Sequence, residues 1–152
     1  MKLTFRSLNE DRIGTAWKAV FDHGWPGWQE WYLKRRAPDP VSLGVSRRMM
    51  RRHMPGMERS WDSWVDAVDG DEEVARFLSF WSPPRYLVNC SQIALVDDQG
   101  PVLIRNYDLD PALNEATILK TGWHGYDVIG MVEGMAGLSD GMNRAGLAIS
   151  LT

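Results

Sequence analysis

Cysteine is almost missing from this chain: 152 residues carry a single thiol, Cys90. One cysteine forbids an internal disulfide and any multi-cysteine metal site, which removes stapled secreted scaffolds and zinc fingers. Histidine is scarce as well, and His23, His53 and His124 show no pairwise ligand spacing, so neither a metal nor another cofactor is expected. Long apolar runs are absent: no stretch of about 18 uninterrupted apolar residues occurs. The amino terminus, Met1-Lys2-Leu3-Thr4-Phe5-Arg6, also lacks the apolar core of a signal peptide. These absences read as a cytoplasmic protein without a membrane partner. A strong charge of either sign is missing too, since 17 Lys/Arg stand against 20 Asp/Glu for a formal net charge of −3. That balance argues against a nucleic-acid partner. The length suits one ordinary domain and excludes two large ones.

What is abundant is tryptophan, with eight residues of which seven precede residue 82. The two sides of Cys90 also differ in charge: residues 1–89 hold 14 Lys/Arg and 12 Asp/Glu, residues 90–152 hold 3 and 8. The first part reads as helices. Ser7-Leu8-Asn9-Glu10 has capping-box spacing, and Ile13, Trp17, Val20 and Phe21 follow at helical intervals up to Gly24. Pro26 suits the first turn of a second helix carrying Trp28, Trp31 and Tyr32. Ser42 opens a short basic helix, another begins near Pro55 with Trp61, Trp64, Val65 and Val68 on one face, and Asp71 opens the last. The tryptophans at these spacings are best read as core. The run Arg47-Arg48-Met49-Met50-Arg51-Arg52 reads as a solvated face rather than a phosphate patch.

After Pro84 the pattern turns to β-branched runs separated by turn residues. Tyr86 to Val96 and Val102 to Tyr107 flank Asp97-Asp98-Gln99-Gly100 and predict a hairpin. Thr117 to Lys120, Asp127 to Val132 and Gly146 to Leu151 are further strand candidates, with residues 134–143 as a Gly-rich connection. The fold class is therefore α+β, helices followed by antiparallel strands. The chain stops on an apolar strand, which reads as the amino-terminal portion of a longer protein, and an unpaired apolar edge is compatible with homo-oligomer formation.

A solitary cysteine in a strand is most often a small buried hydrophobe. Here, however, the hairpin brings Arg105-Asn106-Tyr107-Asp108 back past Cys90, and a guanidinium beside a thiol favours the reactive thiolate.

Asn89-Cys90-Ser91-Gln92, the run Val102 to Asp108 with its Arg-Asn-x-Asp, and Asp140-Gly141-Met142-Asn143-Arg144-Ala145-Gly146-Leu147 together resemble the acyl-coenzyme A:6-aminopenicillanic-acid acyltransferase-like family. That family lies within the N-terminal-nucleophile hydrolases and is related to choloylglycine hydrolases and acid ceramidase-like amidases. The resemblance implies a four-layer αββα sandwich, of which residues 90–152 would be the first strands and residues 1–89 a helical precursor segment. It also implies autoproteolysis between Asn89 and Cys90. Cys90 would then be the nucleophile, Arg105 the arginine beside it, Asp108 the carboxylate orienting its amine, and Asn143 a residue shaping the pocket. The activity implied is amide hydrolysis or acyl transfer on a small-molecule amide or acyl thioester. A rival reading is a non-catalytic helical interaction module with a Trp-rich binding face and a buried Cys90.

Overall fold

The computed structural model describes residues 3–84, 90–108, 110–123 and 125–151. Its first element is a strand, β1 (Arg6–Asn9), where the capping-box spacing predicts a helix start. Ser7 belongs to this strand, but Glu10 does cap a helix: its carboxylate accepts hydrogen bonds from the backbone N–H of Ala16 at 3.1 Å and Trp17 at 3.0 Å. That helix, α1 (Thr15–Arg35), runs unbroken through Gly24 and Pro26, so the two helices expected on either side of them are one. The reason is packing. Trp17, Phe21, Trp28 and Tyr32 make one continuous buried stripe, and Gly24 is a notch in it, since a Cβ there would lie 2.5 Å from the Met135 methyl. Burial of that stripe outweighs the backbone hydrogen bond that Pro26 forfeits.

The other helices follow the sequence pattern. In α2 (Leu43–His53) the Ser42 hydroxyl accepts from the Val45 N–H at 3.3 Å. Helix α3 (Glu58–Ala67) comes next, and α4 (Glu72–Leu78) is capped by Asp71, which accepts from Glu73 and Val74. The basic run is absorbed structurally in part: Arg47 bridges α2 to Glu58 and Asp62 of α3 and lies 4.6 Å over the Trp61 ring, and Arg51 also meets Glu58. No helix among the described residues is long and apolar enough to cross a membrane.

Strands β2 (Ser91–Asp97) and β3 (Gly100–Asn106) form the expected hairpin. A second sheet contains β4 (Thr117–Thr121), β5 (Val128–Glu133), β6 (Gly137–Asn143) and β7 (Ala148–Ser150) in the order β1-β4-β5-β6-β7. It is mixed: β1 runs parallel to β4, and the remaining neighbours are antiparallel. Most of the Gly-rich stretch is strand β6 rather than connection. Only residues 134–136 turn, with left-handed backbone at Gly134 (φ 59°) and at Met135 (φ 69°). Its glycines serve close strand approach, for Gly130 pairs with Gly141 across the ladder. A Cβ on Gly130 would sit 2.2 Å from the Asp140 carbonyl oxygen, closer than any side chain tolerates. Gly130→Ala is therefore expected to lower unfolding free energy by about 2 kcal/mol or more, read from urea denaturation.

Alternation sorts the sheet into two faces. Thr117, Leu119, Thr121 and Val132 are buried beneath the helices, whereas Ile118, Ile129 and Met142 on the other face are 41%, 44% and 55% exposed. Asp140 shares that second face through its register with Met131 and Ile118, and it is where the hairpin attaches: Arg105 of β3 pairs with Asp140. The fold is α+β, with a helical layer, a mixed sheet and a hairpin tied to the far side of the sheet; the described residues do not show the four-layer sandwich implied by the resemblance.

Candidate active site around Arg105

The hairpin register decides which side chains can cooperate. Gln92 pairs with Arg105 and Ser91 with Asn106. Residues directly opposite share a face, as do residues two apart, so Gln92, Arg105 and Tyr107 lie on one side, and Cys90 enters β2 two residues before Gln92 on that same side. Cys90 is a free, half-buried thiol just outside the strand. Asn89, the other half of the expected scissile bond, lies outside the described residues, as does His124.

Arg105 is the best-held group of the site, its side chain only 6% exposed. The guanidinium donates to the Ser139 hydroxyl at 2.7 Å and to the Ser139 carbonyl at 3.3 Å, pairs with the Asp140 carboxylate at 3.1 Å, and lies 4.9 Å from the centre of the Tyr107 ring. Ser139 can present both oxygens because β6 is irregular there: the pairing with β5 slips between Met131 and Val132, leaving Ser139 as an extra residue in the ladder.

Close to Arg105 lies a partly buried carboxyl, Glu133. Burial pushes the Glu133 carboxyl above its ordinary range, a shift opposed by Tyr107 and Arg105. Burial and the facing Glu133 in turn push the Tyr107 phenol far above its usual value. Glu115, 6% exposed, is pushed up to about 7, mainly by burial. Its Oε1 accepts from Trp28 Nε1 and from the Met135 N–H, both at 2.9 Å, while Oε2 is buried with no partner among the described residues.

The other expected site residues are placed differently. Asp108 is exposed and accepts a 2.7 Å hydrogen bond from the Asn106 amide, whose side chain leaves β3 on the face opposite Arg105. Asn143 closes the β6–β7 turn, its Oδ1 accepting from Ala145 at 3.0 Å and Leu147 at 3.1 Å, farther along β6 than the partners of Arg105. Sequence reading gave no role to Tyr107, Glu115, Glu133, Ser139 or Asp140. Tyr107 and Asp140 stand within the motifs quoted above without a role of their own, and the isolated acids Glu115 and Glu133, close to apolar segments, are the remaining signal.

A family model described as acyl-coenzyme A:6-aminopenicillanic acid acyl-transferase matches residues 96–152, less than half of the chain. The matched stretch contains Arg105, Asp108, Asp140 and Asn143 and begins after Cys90. No curated protein and no solved structure matches the chain.

Proposed function

We propose that the chain carries the nucleophile of a cysteine N-terminal-nucleophile amidohydrolase or acyltransferase, autoprocessed between Asn89 and Cys90. The observation that carries this reading is the hairpin register, which sets a firmly held guanidinium on the face from which Cys90 enters β2. The similarity of residues 96–152 to an acyltransferase family supports the reaction class. Cleavage would leave Cys90 with a free α-amine, whose ordinary pKa of about 7.7–8.0 keeps an appreciable fraction neutral near pH 7. That amine takes the thiol proton, and the thiolate adds to an amide or thioester carbonyl. The proton passes to the leaving amine or thiol, and water or an acceptor amine then resolves the acyl-enzyme. Asp108 would hold the amine; in the uncut chain, which has no amine there, it holds Asn106 instead. Asn143 would border the acyl pocket.

The alternative, an interaction module with a Trp-rich binding face, loses its main support because Trp17, Trp28, Trp61 and Trp64 are at most 2% exposed. Intact-mass analysis of the protein purified from its host separates the two readings. Two pieces meeting at residue 90, with Cys90→Ala remaining one piece, is the expected result. An uncut chain that hydrolyses amides would overturn autoprocessing, and full amide turnover by Cys90→Ala would remove the nucleophile.

A further inference from the structure

A second site stands on the helical layer, independent of Cys90. Where α1 ends, the chain folds back over α4 and encloses a cleft of about 310 Å³ lined by residues that include Tyr32, Arg35, Arg36, Asp39, Arg76 and Trp81. That size matches small-ligand sites. Three guanidinium groups and one carboxylate line it. Arg76 donates one Nη2 hydrogen bond to Glu72 at 2.6 Å, yet its Nε is buried with no partner among the described residues. Arg36 makes no ion pair among the described residues, and Arg35 makes none beyond lying 5.3 Å over the Trp31 ring. Tyr32, 7% exposed, sits between them, its phenol within the electrostatic reach of Arg36, Arg76 and Glu73. Glu73 is already engaged by Gln29 at 2.9 Å. Trp81 forms an apolar wall, held flat by His53 at 5.7 Å with ring planes 4° apart.

A buried guanidinium N–H without an acceptor is costly, and a planar fork of donors suits an oxyanion. We propose that this cleft binds a small organic anion, a phosphate monoester or a carboxylate, whose oxygens are taken by Arg36, Arg76 and the Tyr32 hydroxyl while a flat apolar body lies against Trp81. Asp39 at the cleft and Glu72 behind Arg76 oppose a ligand of high charge, favouring a single anionic head.

The test is a titration of the whole chain, followed by tryptophan fluorescence, with phenyl phosphate in one arm and phenylacetate in the other, against sodium chloride at matched ionic strength. Saturable binding of the first identifies a phosphate site, and of the second a carboxylate site. An Arg35→Gln/Arg36→Gln variant, whose changes lie at the helix end outside the core, should weaken that binding at least about tenfold, as loss of charge-assisted hydrogen bonds requires. Arg76→Gln should do the same if it folds. Lack of saturation by either probe up to about 10 mM, where binding is worth less than about 3 kcal/mol, or unchanged binding by the Arg35/Arg36 variant, would overturn the proposal.

Discussion

Trp17→Ala is expected to destabilise the protein by about 4 kcal/mol, the range for removing a fully buried large aromatic. Trp17 has no exposed surface, packs 5.5 Å from Phe21 and 6.3 Å from Trp123 between ring centres, and donates its indole N–H to the Met135 carbonyl at 2.9 Å. Alanine would leave both a cavity and a buried carbonyl without its donor. Phenylalanine would restore most of the volume but not the donor, so Trp17→Phe should cost about 1–3 kcal/mol, the penalty of one orphaned buried group. Urea denaturation read by far-ultraviolet circular dichroism measures both. Because the contact joins α1 to the β5–β6 turn, helix and sheet signals should fall together in each variant. A Trp17→Ala protein within about 1 kcal/mol of the parent would show that the layers are held elsewhere.

The second large effect is a dependence on pH. Glu115 has its carboxyl raised from 4.5 to about 7 by burial, with the neighbouring Glu133 acting in the same direction. Between those values the folded chain holds a proton that the unfolded chain has released. Stability from this group is therefore complete below about pH 4.5 and lost as pH rises through about 7, to a total of about 3 kcal/mol. Glu115→Gln keeps a carbonyl oxygen for the Trp28 and Met135 N–H groups while removing the titration. The variant should gain on the parent steadily from pH 5 to pH 8. Some decline with the same sign should survive in the variant, because Glu133 is also shifted upward. Parallel stability profiles of parent and variant would show that Glu115 is not the group responsible.

Much of the fold was legible locally. Ser42 and Asp71 stand where their caps form, and the turn residues after Asp97 place the β2–β3 hairpin. The errors arose wherever a local signal was decided by a distant partner. Gly24 reads as a helix stop, but Met135, more than a hundred residues later, makes it a packing notch. Ser7 reads as a cap, but pairing with Ile118 makes it a strand residue. The glycines of residues 134–143 read as a loop, but Gly130 across the ladder makes most of them strand. The site divides in the same way. The place of Arg105 on the return strand of the hairpin can be counted from the sequence, whereas Ser139, Asp140 and Glu133 reach it only after the sheet has formed, and no spacing in the sequence encodes that meeting.

The parallel pairing of β1 with β4 also constrains how the chain can fold during synthesis. Arg6 meets Thr117, so among the described residues β1 has its one neighbour in the sheet more than a hundred residues later in the chain. Until that neighbour emerges, β1 has no ladder to join, whereas α1 to α4 can already gather around their tryptophans through contacts closer in sequence. Sheet assembly thus waits on a long loop closure, the kind of step that slows folding. During that interval β1 is a free edge, and the nascent chain is most exposed to wrong pairing before β4 emerges.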